Sequence, residues 1–123
     1  LRCVQEISAV TAACMMVKTS VFKAVGGFDE ELKVAFNDID LCMKVRKYGV
    51  KIVFTPYAEL YHYESKSRGM EDTPEKQLRF SREVNCFRRK WERELLKGDP
   101  YYNPNLTLNN TDCSLRKQEK NGD

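Results

Sequence analysis

The feature that most constrains this chain is a long amphipathic stretch near its C-terminus. Thr73 followed by Pro74 is a typical helix start, and Gly98 with Pro100 ends the pattern. The sequence therefore predicts a helix at about 74–97 that must pack one face against other elements. The apolar residues of that face recur at steps of four, three, four and four, and they are Phe80, Val84, Phe87, Trp91 and Leu95.

Two shorter helices and several strands are expected before the long helix. Helices are predicted at about 19–25 and 37–48, because each follows a capping residue and ends at glycine. Ile7–Val17 is rich in small and apolar residues, and Lys51–Thr55 alternates between polar and apolar positions, so both are predicted strands. Glu59–Tyr63 is a further strand candidate.

These elements predict an α/β fold in which a short mixed sheet is packed by helices. The chain has 123 residues, enough for one compact domain, which we place at 1–98, with a C-terminal tail at 99–123. The longest apolar run, Ala9–Val17, is too short to span a bilayer. Because the first residue is Leu1 and no signal peptide follows, we expect a piece of a longer protein.

Charge and cysteine content exclude some classes of function. The net charge of +3 does not imply a nucleic-acid partner, and the cations of the long helix alternate with glutamates, as on an ordinary solvated face. A small basic nucleic-acid module would also need aromatic residues among the cations, which we do not find. The five cysteines are widely spaced without a Cys-x-x-Cys pair, which favours a reducing, cytoplasmic compartment. Cys14 and Cys42 are expected in the core.

Asp38 is the first candidate for chemistry. It lies at a predicted helix start, where the positive end of the helix dipole favours a carboxylate, and a carboxylate there can take a proton from an attacking hydroxyl. The alternative is that Asp38 is only an N-cap. Asp40 is two residues further along and does not share a helix face with Asp38, so the two are not an acid–base pair.

His62 and the polar residues after it form the second candidate region. His62 is the only histidine of the chain, and a single histidine does not make a metal site. Two hydroxyls, two cations and a glycine within five residues suit a phosphate, although a solvated loop can have the same composition. These residues are Ser65, Lys66, Ser67, Arg68 and Gly69.

Three strings in this order resemble the C-terminal half of a family 2 glycosyltransferase. The resemblance is to enzymes with the GT-A fold, of the bacterial rhamnosyltransferase-like kind, and it extends from about 4 to 115. Each string is weak alone, but the ordered set is specific. The strings are Gly26-Gly27-Phe28-Asp29-Glu30, Asn37-Asp38-Ile39-Asp40 and His62-Tyr63-Glu64-Ser65-Lys66-Ser67-Arg68-Gly69.

The resemblance implies inverting transfer of a sugar from a nucleotide-sugar donor to a saccharide or other hydroxyl acceptor, in cell-surface polysaccharide synthesis. Asp38 would be the catalytic base that closes a Glu-Asp motif, with Asn37 here in place of the Glu. His62 would complete a site for Mg²⁺ or Mn²⁺. The other implied roles are donor diphosphate binding by Ser65, Lys66, Ser67 and Arg68, and an acceptor-side position for Gly27, Phe28, Asp29 and Asp40.

The resemblance also implies that the donor-binding half, with its Asp-x-Asp metal motif, lies N-terminal to this chain. We therefore expect a partial GT-A fold that is inactive alone. Open sheet edges would favour a homo-oligomer of the fragment, and the resemblance leaves open a peripheral association with the inner face of the membrane. The alternative is a non-catalytic binding or interaction domain of the same ancestry.

Overall fold

The structure, a computed structural model, describes residues 3–63, 73–110 and 114–116. Its content of helices and strands agrees with the predicted α/β class, and helices predominate. Within the described residues, the elements in chain order are β1 at Gln5–Glu6, α1 at Thr19–Ala24, α2 at Asn37–Lys47, β2 at Val53–Phe54, α3 at Pro74–Lys90 and α4 at Glu92–Lys97.

The sheet consists of one antiparallel strand pair in the described part of the chain. Gln5 pairs with Phe54 and Glu6 with Val53. The Ile7 N–H extends the pairing by donating to the Ile52 carbonyl at 3.0 Å. The predicted mixed sheet is thus wrong for the described residues, where the sheet is antiparallel and much smaller than expected.

The predicted strand at Ile7–Val17 is also wrong, because β1 ends at Glu6 and only the Ile7 N–H adds to the pairing. After Ile7 the chain passes over the start of α2 and forms a 3₁₀ turn at Ala12–Cys14, whose cap is Thr11. The Ala12 N–H donates to Asp38 at 3.1 Å instead of to a neighbouring strand. The third strand candidate, Glu59–Tyr63, contains no strand.

The two cysteines expected in the core differ. Cys42 is buried, as predicted, and its sulfur lies 3.5 Å from the Val10 backbone nitrogen. Burial raises the pKa of the Cys42 thiol, so Cys42 remains an uncharged core residue. Cys14 is exposed on the 3₁₀ turn, and its predicted core position is wrong.

The long C-terminal helix is interrupted near its end. At Trp91 the backbone leaves helical geometry, with φ of −114° and ψ of 18°, so that α3 and α4 replace the single predicted helix. The apolar spacing of the helix nevertheless predicted burial correctly near the middle of its apolar face, since Phe87 and Trp91 form the core with Leu32. Phe80 and Leu95, towards the ends of that face, stay about half exposed.

Part of the predicted tail is packed against β1. Gly98 ends α4 with a φ of 76°, which favours glycine, and the chain then turns back towards the sheet. The Tyr101 hydroxyl donates to Glu6, and the Ser8 hydroxyl donates to Asp99. Residues 99–101 therefore belong to the fold and are not a free tail.

None of the helices in the described ranges combines the length and the apolar character that crossing a membrane needs. The homo-oligomer expected from open sheet edges stays a prediction.

Candidate active site

Asp38 lies in the first turn of α2, as the sequence predicted, and its side chain is half-buried. One carboxylate oxygen accepts the Ala12 N–H at 3.1 Å, and the other accepts the Ile39 N–H at 2.8 Å. A carboxylate oxygen has more than one acceptor position, so each can take a further hydrogen bond. The backbone thus fixes the direction of the carboxylate while leaving it able to receive a proton.

Asp40, by contrast, is fully buried. It accepts a hydrogen bond from the Trp91 indole N–H at 2.8 Å, and the ammonium groups of Lys90 and Lys44 lie 2.8 and 3.0 Å from its carboxylate. A buried carboxylate needs such partners, because desolvation disfavours an unpaired charge. Since Asp40 is 0% exposed, no acceptor can touch it in this arrangement. Asp40 holds Trp91, Lys90 and Lys44 in place, and its acceptor-side position stays a prediction.

Lys44 on α2 and Lys90 on α3 connect their helices to the turn after α1. Lys90 also pairs with Asp29, and Lys44 donates to the Gly27 carbonyl at 2.9 Å. The structure therefore brings together Gly27, Asp29 and Asp40, which the sequence analysis grouped on the acceptor side.

Gly27 and Phe28 shape the same turn. Gly27 has a φ of 66°, and a Cβ there would lie 3.1 Å from the Phe22 ring, so both the backbone and the packing require glycine. The Phe28 ring packs edge-on against Phe22 at 5.5 Å between centroids, but Phe28 remains 47% exposed. Phe28 thus presents an exposed aromatic ring between Gly27 and Asp29, the two residues that the lysines of α2 and α3 contact.

The ion pairs change the pKa values of two groups. The hydrogen bond from Lys90 lowers the pKa of Asp29, with a smaller contribution from the Glu31 N–H. Burial disfavours the charged form of Lys90, but its hydrogen bonds to Asp29 and Asp40 outweigh burial and raise the pKa of its ammonium. Both shifts favour the charged pair in the folded state.

The lowered pKa of Asp29 predicts a loss of stability in acid. A carboxyl whose pKa is lower in the folded state stabilises the protein above its unfolded pKa of about 3.9, and this contribution disappears as the pH falls further. We expect the free energy of unfolding of Asp29→Asn to fall less steeply below about pH 4 than that of the wild type. Urea titrations at pH 5, 4 and 3 measure this, with the exposed neighbour substitution Glu30→Gln as control. Equal slopes for Asp29→Asn and the wild type would contradict the pairing.

His62 is exposed and lies within residues 58–63, which contain no strand. Ser65, Lys66, Ser67 and Arg68 lie outside the described residues. Within residues 3–63, 73–110 and 114–116, no three His, Cys, Asp or Glu side chains are grouped so as to hold a metal ion. The described residues therefore do not fit a metal site by themselves, and the metal and diphosphate roles stay predictions.

A large cavity lies on another face of α2. Its volume is about 1010 Å³, and its lining includes Ile39, Met43, Trp91 and Tyr101, but neither Asp38 nor His62.

Sequence analysis missed the role of Glu83. The alternation of charges on the long helix predicts an exposed Glu83, yet Glu83 is only 3% exposed. Its carboxylate accepts hydrogen bonds from the N–H groups of Val34 and Ala35 at 3.2 and 2.7 Å. The available signal was its spacing, because Glu83 lies three residues after Phe80 and four before Phe87, on the apolar face.

Among the known proteins to which the chain is similar, one is named for O-antigen biosynthesis and one as a rhamnosyltransferase. The chain is 58% identical over 112 residues to a Sinorhizobium fredii protein that is named only as uncharacterized protein y4gI. It is 39% identical over 115 residues to the O-antigen biosynthesis protein RfbC of Myxococcus xanthus. It is 36% identical over 67 residues to an N-acetylglucosaminyl-diphospho-decaprenol L-rhamnosyltransferase of Mycobacterium tuberculosis.

The coverage of these relatives is uneven. The first two alignments include 90% and 94% of this chain, and the third includes 54%. The chain spans only 12%, 9% and 22% of the lengths of the three relatives. No family model matches the chain, and no solved structure matches it.

Proposed function

We propose that this chain is the acceptor-side part of an inverting glycosyltransferase domain of the GT-A type. The enzyme would transfer a sugar from a nucleotide-sugar donor to a saccharide or other hydroxyl acceptor during cell-surface polysaccharide synthesis. The observation that carries the proposal is the Asp38 carboxylate, which backbone N–H groups hold in a fixed direction at the start of α2. The names of the Myxococcus and Mycobacterium relatives support the substrate class.

In the proposed reaction, Asp38 is the general base. The acceptor oxygen forms a bond to the anomeric carbon, while the bond from that carbon to the nucleoside diphosphate breaks. The leaving diphosphate keeps the bonding electron pair, and the acceptor proton passes to the Asp38 carboxylate. Asn37 removes one negative charge compared with the Glu-Asp motif but leaves the base in place.

The other predicted residues take supporting roles in this proposal. The half-exposed Phe28 ring offers an apolar face to an acceptor sugar, and the pair of Asp29 and Lys90 holds its turn. Donor diphosphate binding by 65–68 and a metal contact by His62 are part of the proposal, with the remaining metal ligands supplied from outside the described residues. Mg²⁺ or Mn²⁺, when bound, would neutralise charge on the leaving diphosphate.

A transfer assay on the whole protein that contains this chain tests the proposal. Nucleoside diphosphate release is measured with a panel of nucleotide-sugars, including an activated L-rhamnose. The acceptor is lipid-diphosphate-linked N-acetylglucosamine, the group named in the Mycobacterium relative. We expect acceptor-dependent release from at least one donor, and a product with inverted anomeric configuration.

The 123-residue chain alone is the matched control for this assay. It should give no release, because the donor-binding half is expected elsewhere in the protein. If the whole protein neither bound nor turned over any nucleotide-sugar, the non-catalytic alternative, in which donor binding has been lost, would hold instead.

A further inference from the structure

The turn immediately before α2 has an unusual backbone conformation. Phe36 has a φ of 64°, in the left-handed region that residues with a Cβ disfavour. Its carbonyl accepts the Asp40 N–H at 2.8 Å, which is the first hydrogen bond of α2. The conformation of Phe36 therefore sets where the helix begins, and Asp38 is only two residues further along.

Contacts from α3 hold this turn in two ways. The Glu83 carboxylate accepts the N–H groups of Val34 and Ala35, the two residues before Phe36. The Phe36 ring stacks on Phe87 at 5.1 Å between centroids, with 20° between the ring planes. It also lies 5.9 Å from the Phe80 ring. A disfavoured conformation persists only where surrounding contacts fix it, and α3 supplies these contacts.

The burial of Glu83 indicates that its charge has a use beyond packing. A carboxylate that is 3% exposed is costly unless it is hydrogen-bonded, and an apolar residue would fill the position more easily. The nearest cationic atom to it among the described ion pairs is Arg79 Nε, at 4.0 Å. The shorter contacts of the Glu83 carboxylate are with the N–H groups of Val34 and Ala35, so its main partner is the backbone of the turn.

We propose that Glu83 is a positioning residue that fixes the turn before α2 and thereby the direction of the Asp38 carboxylate. Glu83 does not touch the substrate in this proposal. The proposal rests on the proposed function for its catalytic consequence, but its structural part can be tested without activity.

Hydrogen–deuterium exchange on the whole protein tests the structural part. Glu83→Gln keeps the shape of the side chain, but its amide has one acceptor oxygen where the carboxylate has two. We expect exchange in peptides spanning 33–41 to become at least about tenfold faster. Glu75→Gln, at an exposed position in the first turn of α3, is the matched control and should leave these peptides unchanged. Exchange within about twofold of the wild type in Glu83→Gln would overturn the proposal.

A double-mutant cycle tests whether Glu83 acts through Asp38. Glu83→Gln should lower kcat about tenfold while the KM for the donor changes less than about twofold. In the Asp38→Asn background, Glu83→Gln should cause no further loss, because a positioning residue has no effect once the group it positions is gone. Independent, additive losses would show a merely structural role and overturn the proposal.

The double-mutant cycle also distinguishes a failure of the Glu83 proposal from a failure of the proposed function. Normal turnover in Asp38→Asn would remove the catalytic role of Asp38, and with it the catalytic part of the inference. The exchange experiment would still decide whether Glu83 fixes the turn. If Glu83→Gln fails to fold, Glu83→Asp, which is shorter by one methylene, should give the same pattern with a smaller loss of kcat.

Discussion

Trp91→Ala should destabilise the chain by about 3–5 kcal/mol, the usual cost of removing a buried aromatic side chain. Trp91 is only 4% exposed and packs with Leu32 and Phe87 in the core. Its indole N–H also donates to Asp40, a fully buried carboxylate. The substitution therefore creates a cavity and removes one hydrogen bond from a buried charge.

Trp91→Phe separates these two contributions, because it keeps most of the ring and removes the N–H donor. We expect a loss of about 1.5–3 kcal/mol, the range for hydrogen bonds to charged groups. Chemical denaturation measures both variants, with Leu96→Ala as control, since Leu96 is 82% exposed on α4 and should cost no more than about 0.5 kcal/mol. Wild-type stability in Trp91→Phe would contradict the importance of the contact with Asp40.

The sequence predicted the helices well because their signals are local. The end of α2 before Gly49 follows from an apolar stripe and a glycine that are close in the chain. Its start at Asn37 was predicted within one residue, but the N-cap is Phe36, whose side chain does not cap the helix. The break at Trp91 was not predictable in this way. It brings the indole to Asp40, which is 51 residues away in the sequence.

The strands were predicted poorly because pairing is not local. Ile7–Val17 has the composition of a buried strand, yet the N–H of Ala12 goes to Asp38 and that of Val10 to the Cys42 sulfur. The segment is also less buried than its composition indicates, since residues 11–14 and 16 are exposed. Both the conformation and the burial of a segment depend on which elements pack against it.

The accessible residue of the candidate site was predictable from the sequence, but the buried residues that hold it in place were not. The position of Asp38 at a helix start could be predicted from the sequence, although its role as base is still a prediction. The burial of Asp40 and Glu83 was not foreseen, since charged residues are usually exposed. Each is buried because residues distant in the sequence supply its hydrogen bonds.

Asp38→Asn should reduce turnover of the whole protein at least about hundredfold, because positioned general bases contribute about 10²–10⁴ in rate. The amide is close in shape to the carboxylate and keeps one oxygen for the Ala12 N–H, but the Ile39 N–H loses its acceptor. The contacts of Glu83 with the turn before α2 are unchanged and should still hold the start of α2. An amide, however, does not take a proton from an attacking hydroxyl. Donor affinity should change less than about twofold, since the proposed donor contacts lie elsewhere.

The most direct test of the account is therefore a single-turnover measurement on the whole protein, with donor bound first and acceptor then added. We expect a transfer rate in Asp38→Asn at least about hundredfold below the wild type, with nearly unchanged donor affinity. Glu92→Gln, an exposed carboxylate in the first turn of α4, is the control and should retain the wild-type rate. A near-normal transfer rate in Asp38→Asn would show that Asp38 is not the base and would contradict the central claim.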